Sequence, residues 1–184
     1  EYKGIPMGFS KIDEITSGLN RSDLILIGAR PAMGKTSFAL NIARNVSLTG
    51  KKVVFFSLEM SNEQLAARVL STEARVESNK LRSGDISSEE WVRLAEATDR
   101  LTKCELYFDD TSNMTVSEMK SRIRRLRDVD AVFVDYLQLM KSGSRVESRV
   151  QEVSEITRNL KLMAKDLNIP VVTLIDTPGA YPGI

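Results

Sequence analysis

The sequence predicts an α/β fold: a parallel β-sheet with helices on both faces. Two observations predict it. Five apolar runs of strand length alternate with longer stretches of helical period, and such alternation builds βαβ units with parallel strands. The strand cores LILIGA, VVFF, AVFVD and VVTLI are almost continuously apolar, as strands covered on both faces must be. In order, the first strand is expected at 24–29 and the first helix at 36–48, opened by Gly34-Lys35-Thr36. The second strand, 53–56, leads to a helix at 62–75 whose start carries Ser61 and Gln64 in capping-box spacing. Ser87 and Glu90 mark a helix at 88–103, followed by the third strand at 105–109. Thr115 and Glu118 mark a helix at 116–127, followed by the fourth strand at 131–135. A helix at 147–167 and a fifth strand at 170–175 complete the alternation. In sheets of this kind ligands sit at the carboxyl ends of the strands, so chemistry is sought there.

Composition narrows that chemistry. The 184 residues suit one domain with one sizeable core. No histidine is present, which removes histidine bases, Ser-His triads and the common zinc sets together. Cys104 stands alone and forms no internal disulfide, which fits a reducing compartment and a cytoplasmic location. No apolar run approaches the roughly 20 residues that span a bilayer, so no membrane association is expected. The net charge of +1 means that a nucleic-acid partner must be held by a local basic patch.

The stretch ARPAMGKTSF joins the first strand to the first helix. It reads A-x-x-x-x-G-K-T, a phosphate-binding loop with alanine in place of the first glycine, in the strand-loop-helix context that such a loop requires. Backbone N–H groups of Ala29, Arg30, Pro31, Ala32, Met33, Gly34, Lys35, Thr36 and Ser37, proline excepted, are expected to cradle phosphate at the positive helix end. Lys35 would neutralise the β and γ phosphates, and the Thr36 hydroxyl would reach Mg²⁺. Gly34 would let the backbone approach closely, and alanine suffices at residue 29 if no positive φ is needed there.

Two carboxylates stand at neighbouring strand ends. Asp135 closes AVFVD, where an acidic residue suits the organisation of Mg²⁺; an aspartate merely ending a strand is the plainer reading. Glu59 follows VVFFS and would polarise the water that attacks the γ-phosphate, or would serve only as a carboxylate before a helix start.

The segments GIPMGFSKIDEITSGLNRSDLILIGARPAMGKTSFALNIA, FFSLEMS, VDYLQLM and RVQEVSEITRNLKLMAKDLNIPVV resemble the RecA-like ATPase domain of DnaB-type replicative helicases over about residues 4–174. A-R-P-x-M-G-K-T is that family's form of the loop, so Ala29 is a family trait. The resemblance implies a P-loop NTPase fold with sheet order 3-2-4-5-1 and a homo-hexamer that threads single-stranded DNA. It implies ATP and Mg²⁺ as cofactors, with Lys35 and Thr36 on phosphate and metal, Glu59 as the catalytic carboxylate and Asp135 organising the metal. Arg68 matches an arginine linked to ATPase coupling, and primase and a helicase loader are implied partners.

After Leu174 the chain departs from that family and reads IDTPGAYPGI. Ile175 and Asp176 take the places of a Ser-Gln pair that senses nucleotide state, so the domain is expected to be truncated after the fifth strand, with 175–184 an atypical tail. The truncation would remove the arginine finger, the last strands and one DNA-contacting loop, and the chain begins after the primase-interacting domain. The tail is similar to a short stretch of the acetyl-CoA carboxylase carboxyltransferase α subunit, and DTPG matches the D-x-x-G switch of GTPases; ten residues carry neither activity.

Two basic stretches remain. In MKSRIRRLRD, Met119, Ile123 and Leu126 form a core stripe, leaving a basic face that reads as solvated. KSGSRVESRVQE carries Arg145 and Arg149 where the family has a channel-facing loop, and would hold DNA phosphates without reading bases. The expected function is the ATP-dependent motor core of a replicative DNA helicase. Another RecA-like ATPase of recombinase or signalling type, or a nucleotide-binding core without motor activity, are the alternatives.

Overall fold

The computed structural model describes residues 3–30, 34–135 and 148–176. Seven helices and five strands occur among them: α1 (Ser10–Thr16), β1 (Leu24–Ala29), α2 (Lys35–Leu48), β2 (Val53–Ser57), α3 (Asn62–Ala74), α4 (Ser78–Ser83), α5 (Ser88–Thr102), β3 (Leu106–Asp109), α6 (Val116–Leu126), β4 (Ala131–Asp135), α7 (Arg149–Leu167) and β5 (Val171–Asp176). All five strands pair in parallel in the order β1-β5-β4-β2-β3, which is the 3-2-4-5-1 order read in reverse.

Strand alternation divides the core in two. Val54, Phe56, Val132 and Val134 face α6 and α7, where they pack with Met119, Ile123, Ile156 and Leu160. Val53, Phe55, Ala131 and Phe133 face α2 and α3, where they meet Leu40, Ile42, Ala43, Leu65 and Val69. Each side chain shielded in this way is worth on the order of 1.5–3 kcal/mol, which is why β2 and β4 are apolar at successive positions.

The helix starts follow their caps. Ser61 with Gln64 and Ser87 with Glu90 form complete, reciprocal capping boxes. At Thr115 half of the expected box forms: its hydroxyl accepts from the Glu118 N–H, and no reciprocal bond closes from Glu118. Two helices escaped the sequence reading, α1 and α4. Both are shorter than two turns and begin without a side-chain cap, so neither signal could mark them. Helix α1 is held by tertiary contacts instead: the buried Asp13 carboxylate accepts from Met7 N–H at 2.7 Å and Gly8 N–H at 3.2 Å, and Asn45 on α2 donates to the Met7 carbonyl. The last helix starts at Arg149, and β5 runs one residue further than expected, so Ile175 and Asp176, counted with the tail, are strand residues.

Candidate functional site

The sheet topology gathers four strand ends at one edge. Since β5 lies between β1 and β4, and β4 pairs with β2, the ends carrying Ala29, Asp176, Asp135 and Ser57 follow one another along it. Ala29 is the last residue of β1 and pairs with Asp176 in ordinary strand conformation. It has no positive φ, which is the physical reason that alanine serves where a turn glycine might be looked for. Pro31, Ala32 and Met33 lie outside the described residues.

Gly34 is where glycine is required. Its φ is +74°, left-handed, and nothing stands within 4 Å of where a Cβ would project. The demand is therefore one of backbone conformation, with open space in front, and the expected close approach is left for a ligand. Helix α2 begins at the next residue with no acidic side chain of its own in its first turn, so its N–H groups present partial positive charge at the edge.

Thr36 and Asp135 meet across 99 residues of sequence. The Thr36 hydroxyl donates to Asp135 Oδ2 at 2.8 Å, and Asp135 is fully buried. A buried carboxylate is held only with partners, and this one fixes the threonine rotamer from behind. Asp135 also reaches β2 through its backbone, where its carbonyl accepts from Leu58 N–H at 2.8 Å.

Glu59 lies on the bend between β2 and α3 and is exposed. It lines a cleft of about 700 Å³ between α2 and α3, together with Gly34, Lys35 and Thr36. Arg68 crosses that cleft from α3, with its Nη1 donating to Ser37 Oγ at 3.4 Å. Thus Lys35, Thr36, Ser37, Glu59 and Arg68 share one cavity, with Asp135 behind Thr36. The cleft also contains Gln64, read from the sequence only as a capping partner, and Asn41, Arg44 and Thr72, which the sequence reading did not name. A signal existed: Ser37, Asn41 and Arg44 recur at i, i+4 and i+7 on α2, and Gln64, Arg68 and Thr72 at i, i+4 and i+8 on α3. Two polar stripes at helical spacing that line one cleft mark a wet interface between the helices.

The basic stretches lie elsewhere. Arg145 is outside the described residues. Arg149, which fell both in the expected 147–167 helix and in the basic stretch read as a loop, is the first residue of α7, where its guanidinium donates to Glu152 Oε2 at 2.7 Å and so offsets a cation at a positive helix end. On α6, Lys120 pairs with Asp166 at 2.6 Å and Arg122 bonds Asp109 and Thr111. Burial pushes the Asp109 carboxyl up, but the Arg122 and Thr111 hydrogen bonds together hold it below its ordinary value. That helix spends part of its charge inside the molecule, as a solvated structural face does.

The donor set decides what a metal could do here. Among the described residues no cluster of three acidic, histidine or cysteine side chains could hold an ion alone. A hydroxyl backed by a buried carboxylate suits a hard ion such as Mg²⁺, which keeps waters and shares its remaining ligands with a phosphate.

The comparisons agree with this geometry. The family model described as the DnaB-like helicase C terminal domain matches residues 4–177. Replicative DNA helicase DnaB of Nostoc sp. is 48% identical over 177 residues, covering 93% of this chain and 20% of that protein. DnaB of Geobacillus stearothermophilus is 46% identical over 179 residues, covering 95% of this chain and 39% of that protein. The chain therefore spans well under half the length of these curated relatives. Among solved structures, one described as an ATPase domain superposes with a TM-score of 0.93 at 32% identity, covering 97% of this chain and 66% of that one. A DnaB-like replicative helicase described with its interactions with primase gives 0.90 at 32% identity, covering 95% of this chain and 43% of that one. With a family match across nearly its whole length and the strand order in place, the chain belongs to the DnaB-like helicase C-terminal domain family.

Proposed function

We propose that this chain is the ATP-hydrolysing motor core of a replicative DNA helicase. The observation that carries the reading is the buried Thr36–Asp135 hydrogen bond beneath the left-handed Gly34. It ties the first turn of α2 to the end of β4 across 99 residues of sequence. In this reading the α2 N–H groups and Lys35 bind the phosphates of ATP. Thr36, oriented by Asp135, would hold Mg²⁺, which supplies charge neutralisation on the phosphates when bound. Glu59 accepts a proton from the attacking water, and Arg68 conveys the state of the cleft to α3. The whole protein would act as a homo-hexamer on single-stranded DNA in the cytoplasm, with primase and a loader as partners. Family membership supports these assignments, and Arg145 and Arg149 are the proposed DNA contacts.

Nucleotide titration and a steady-state ATPase assay, with and without single-stranded DNA, test the reading in wild type and Lys35→Ala. The substitution should weaken Mg-ATP binding or nearly abolish turnover, because it removes the cation expected on the β and γ phosphates. Unchanged binding and turnover would sink the proposal.

A further inference from the structure

Glu59 is exposed, yet the backbone around it is tied down at every neighbouring amide. Leu58 N–H donates to the Asp135 carbonyl at 2.8 Å. Met60 N–H donates to Ser57 Oγ at 3.0 Å. Ser61 N–H donates to Gln64 Oε1 at 3.0 Å, and Asn62 N–H donates to Asp110 Oδ2 at 3.0 Å. A bend between a strand and a helix does not need four such ties; capping Ser61 alone would start α3. Two of the ties come from side chains outside the helix. Ser57 ends β2 with 1% of its surface exposed, so its hydroxyl is fixed among core atoms. Asp110 follows β3, the sheet's outer strand on that side, and fastens the first residue of α3 to it.

We infer that Ser57 and Asp110 are positioning residues for the Glu59 carboxylate: a two-point clamp that fixes the bend on which it rides and thereby sets its place over the cleft. The inference rests on the reading of Glu59 as the group that handles the attacking water. Ser57 is anchored in the rigid sheet two residues before Glu59, and Asp110 holds the chain three residues after it. An exposed, flexible glutamate would otherwise sample the rotamers of a mobile bend, and a displacement of about 1 Å in a reacting group can cost on the order of a hundredfold in rate. Neither side chain reaches the cleft itself, where Glu59, Lys35 and Thr36 stand. Their effect on the cleft is therefore exerted through the bend that carries Glu59.

The test uses the full-length protein carrying this chain, with single-stranded DNA present, and measures kcat, KM for ATP and thermal midpoint. Ser57→Ala and Asp110→Ala should each lower kcat about ten- to a hundredfold with KM within about threefold. Asp110→Asn keeps an oxygen acceptor for the Asn62 N–H and should recover most of the loss. The decisive arm is a cycle: in a Glu59→Gln background, adding Ser57→Ala should change kcat by less than about twofold, because the carboxylate it positions is already gone. A purely structural role would lower the thermal midpoint of Ser57→Ala while leaving kcat of the folded protein intact, and would overturn the inference. Additive losses in the cycle would overturn it too. If Glu59→Gln itself leaves kcat unchanged, the role assigned to Glu59 fails, and the clamp fails with it; a Glu59-dependent kcat with unaffected clamp variants rejects the clamp alone.

Discussion

Asp135 ends β4 and Glu59 lies two residues past the end of β2, its partner in register, and the fold treats them in opposite ways. Asp135 is fully buried and its carboxylate receives the Thr36 hydroxyl. Glu59 is exposed on a bend, and what is fixed is the backbone beneath it. A group that organises a site needs one geometry and is worth burying with its partner. A group proposed to meet water and take up its proton has to keep its side chain in the open while its anchor is held. The same residue chemistry therefore serves two roles according to which part of the residue the fold restrains.

The largest expected effect breaks the pair on chemistry. Glu59→Gln should keep nucleotide affinity within a few-fold and lower turnover by at least about a hundredfold, since the amide cannot accept the water's proton. Asp135→Asn should instead weaken the Mg²⁺ dependence of nucleotide binding, because a neutral amide holds Thr36 less firmly. Parallel titrations against nucleotide and Mg²⁺ read both. Identical losses in affinity alone for the two variants would leave Glu59 as nothing more than a residue before a helix.

Stability should separate them next. Asp135→Ala leaves the mostly buried Thr36 hydroxyl without its acceptor and should cost about 1–3 kcal/mol. Glu59→Ala, an exposed change, should stay within about 0.5 kcal/mol. Denaturant midpoints measured without nucleotide decide the matter, and a Glu59→Ala loss as large as that of Asp135→Ala would contradict the contrast.

How legible these two residues were depends on the same distinction. Asp135 was readable because an apolar strand ending in an acid is a local pattern, and the sheet order then brought it to Thr36. Glu59 was readable as a position after VVFFS, but its restraint was not. Asp110 holds Asn62 from 48 residues away, and no periodicity or capping rule links separate strands. Strands, long helices and caps were legible because burial and hydrogen-bond demand imprint a period or a spacing on the sequence. Helices α1 and α4 were not, since tertiary contacts such as those of Asp13 replace the local signals.

A third strand end supplies a control. Asp109 closes β3 and is turned to structure, bonded by Arg122 and Thr111. Its carboxyl lies below its ordinary value in the folded protein: burial acts to raise it, and the hydrogen bonds outweigh burial. A depressed folded value stabilises above the unfolded pKa and loses that contribution as pH falls through the folded one. Arg122→Ala should therefore cost under about 1 kcal/mol at neutral pH, the pair being partly exposed. The difference from wild type should shrink below about pH 4 and vanish once both states are protonated. Acid titration of both proteins checks the sign; a difference that grows towards low pH would refute it.

The smallest effect belongs to the fourth strand end, Asp176. Its backbone pairs with Ala29, the residue that opens the loop, so β5 brings it to the row where the phosphates are expected. A carboxylate adds negative charge beside an anion, and the penalty grows with the charge of that anion, so ATP should suffer more than ADP. We expect the chain to bind ADP at least as tightly as ATP. Asp176→Gln should shift the ratio of the two affinities towards ATP by about threefold, a modest change because solvent and salt screen charge at an open site. Competition titrations of ATP against ADP in both proteins measure that ratio without any need for turnover. A wild-type preference for ATP, or a ratio untouched by the substitution, would place the Asp176 carboxylate away from the phosphates and leave β5 with a structural end like that of β3.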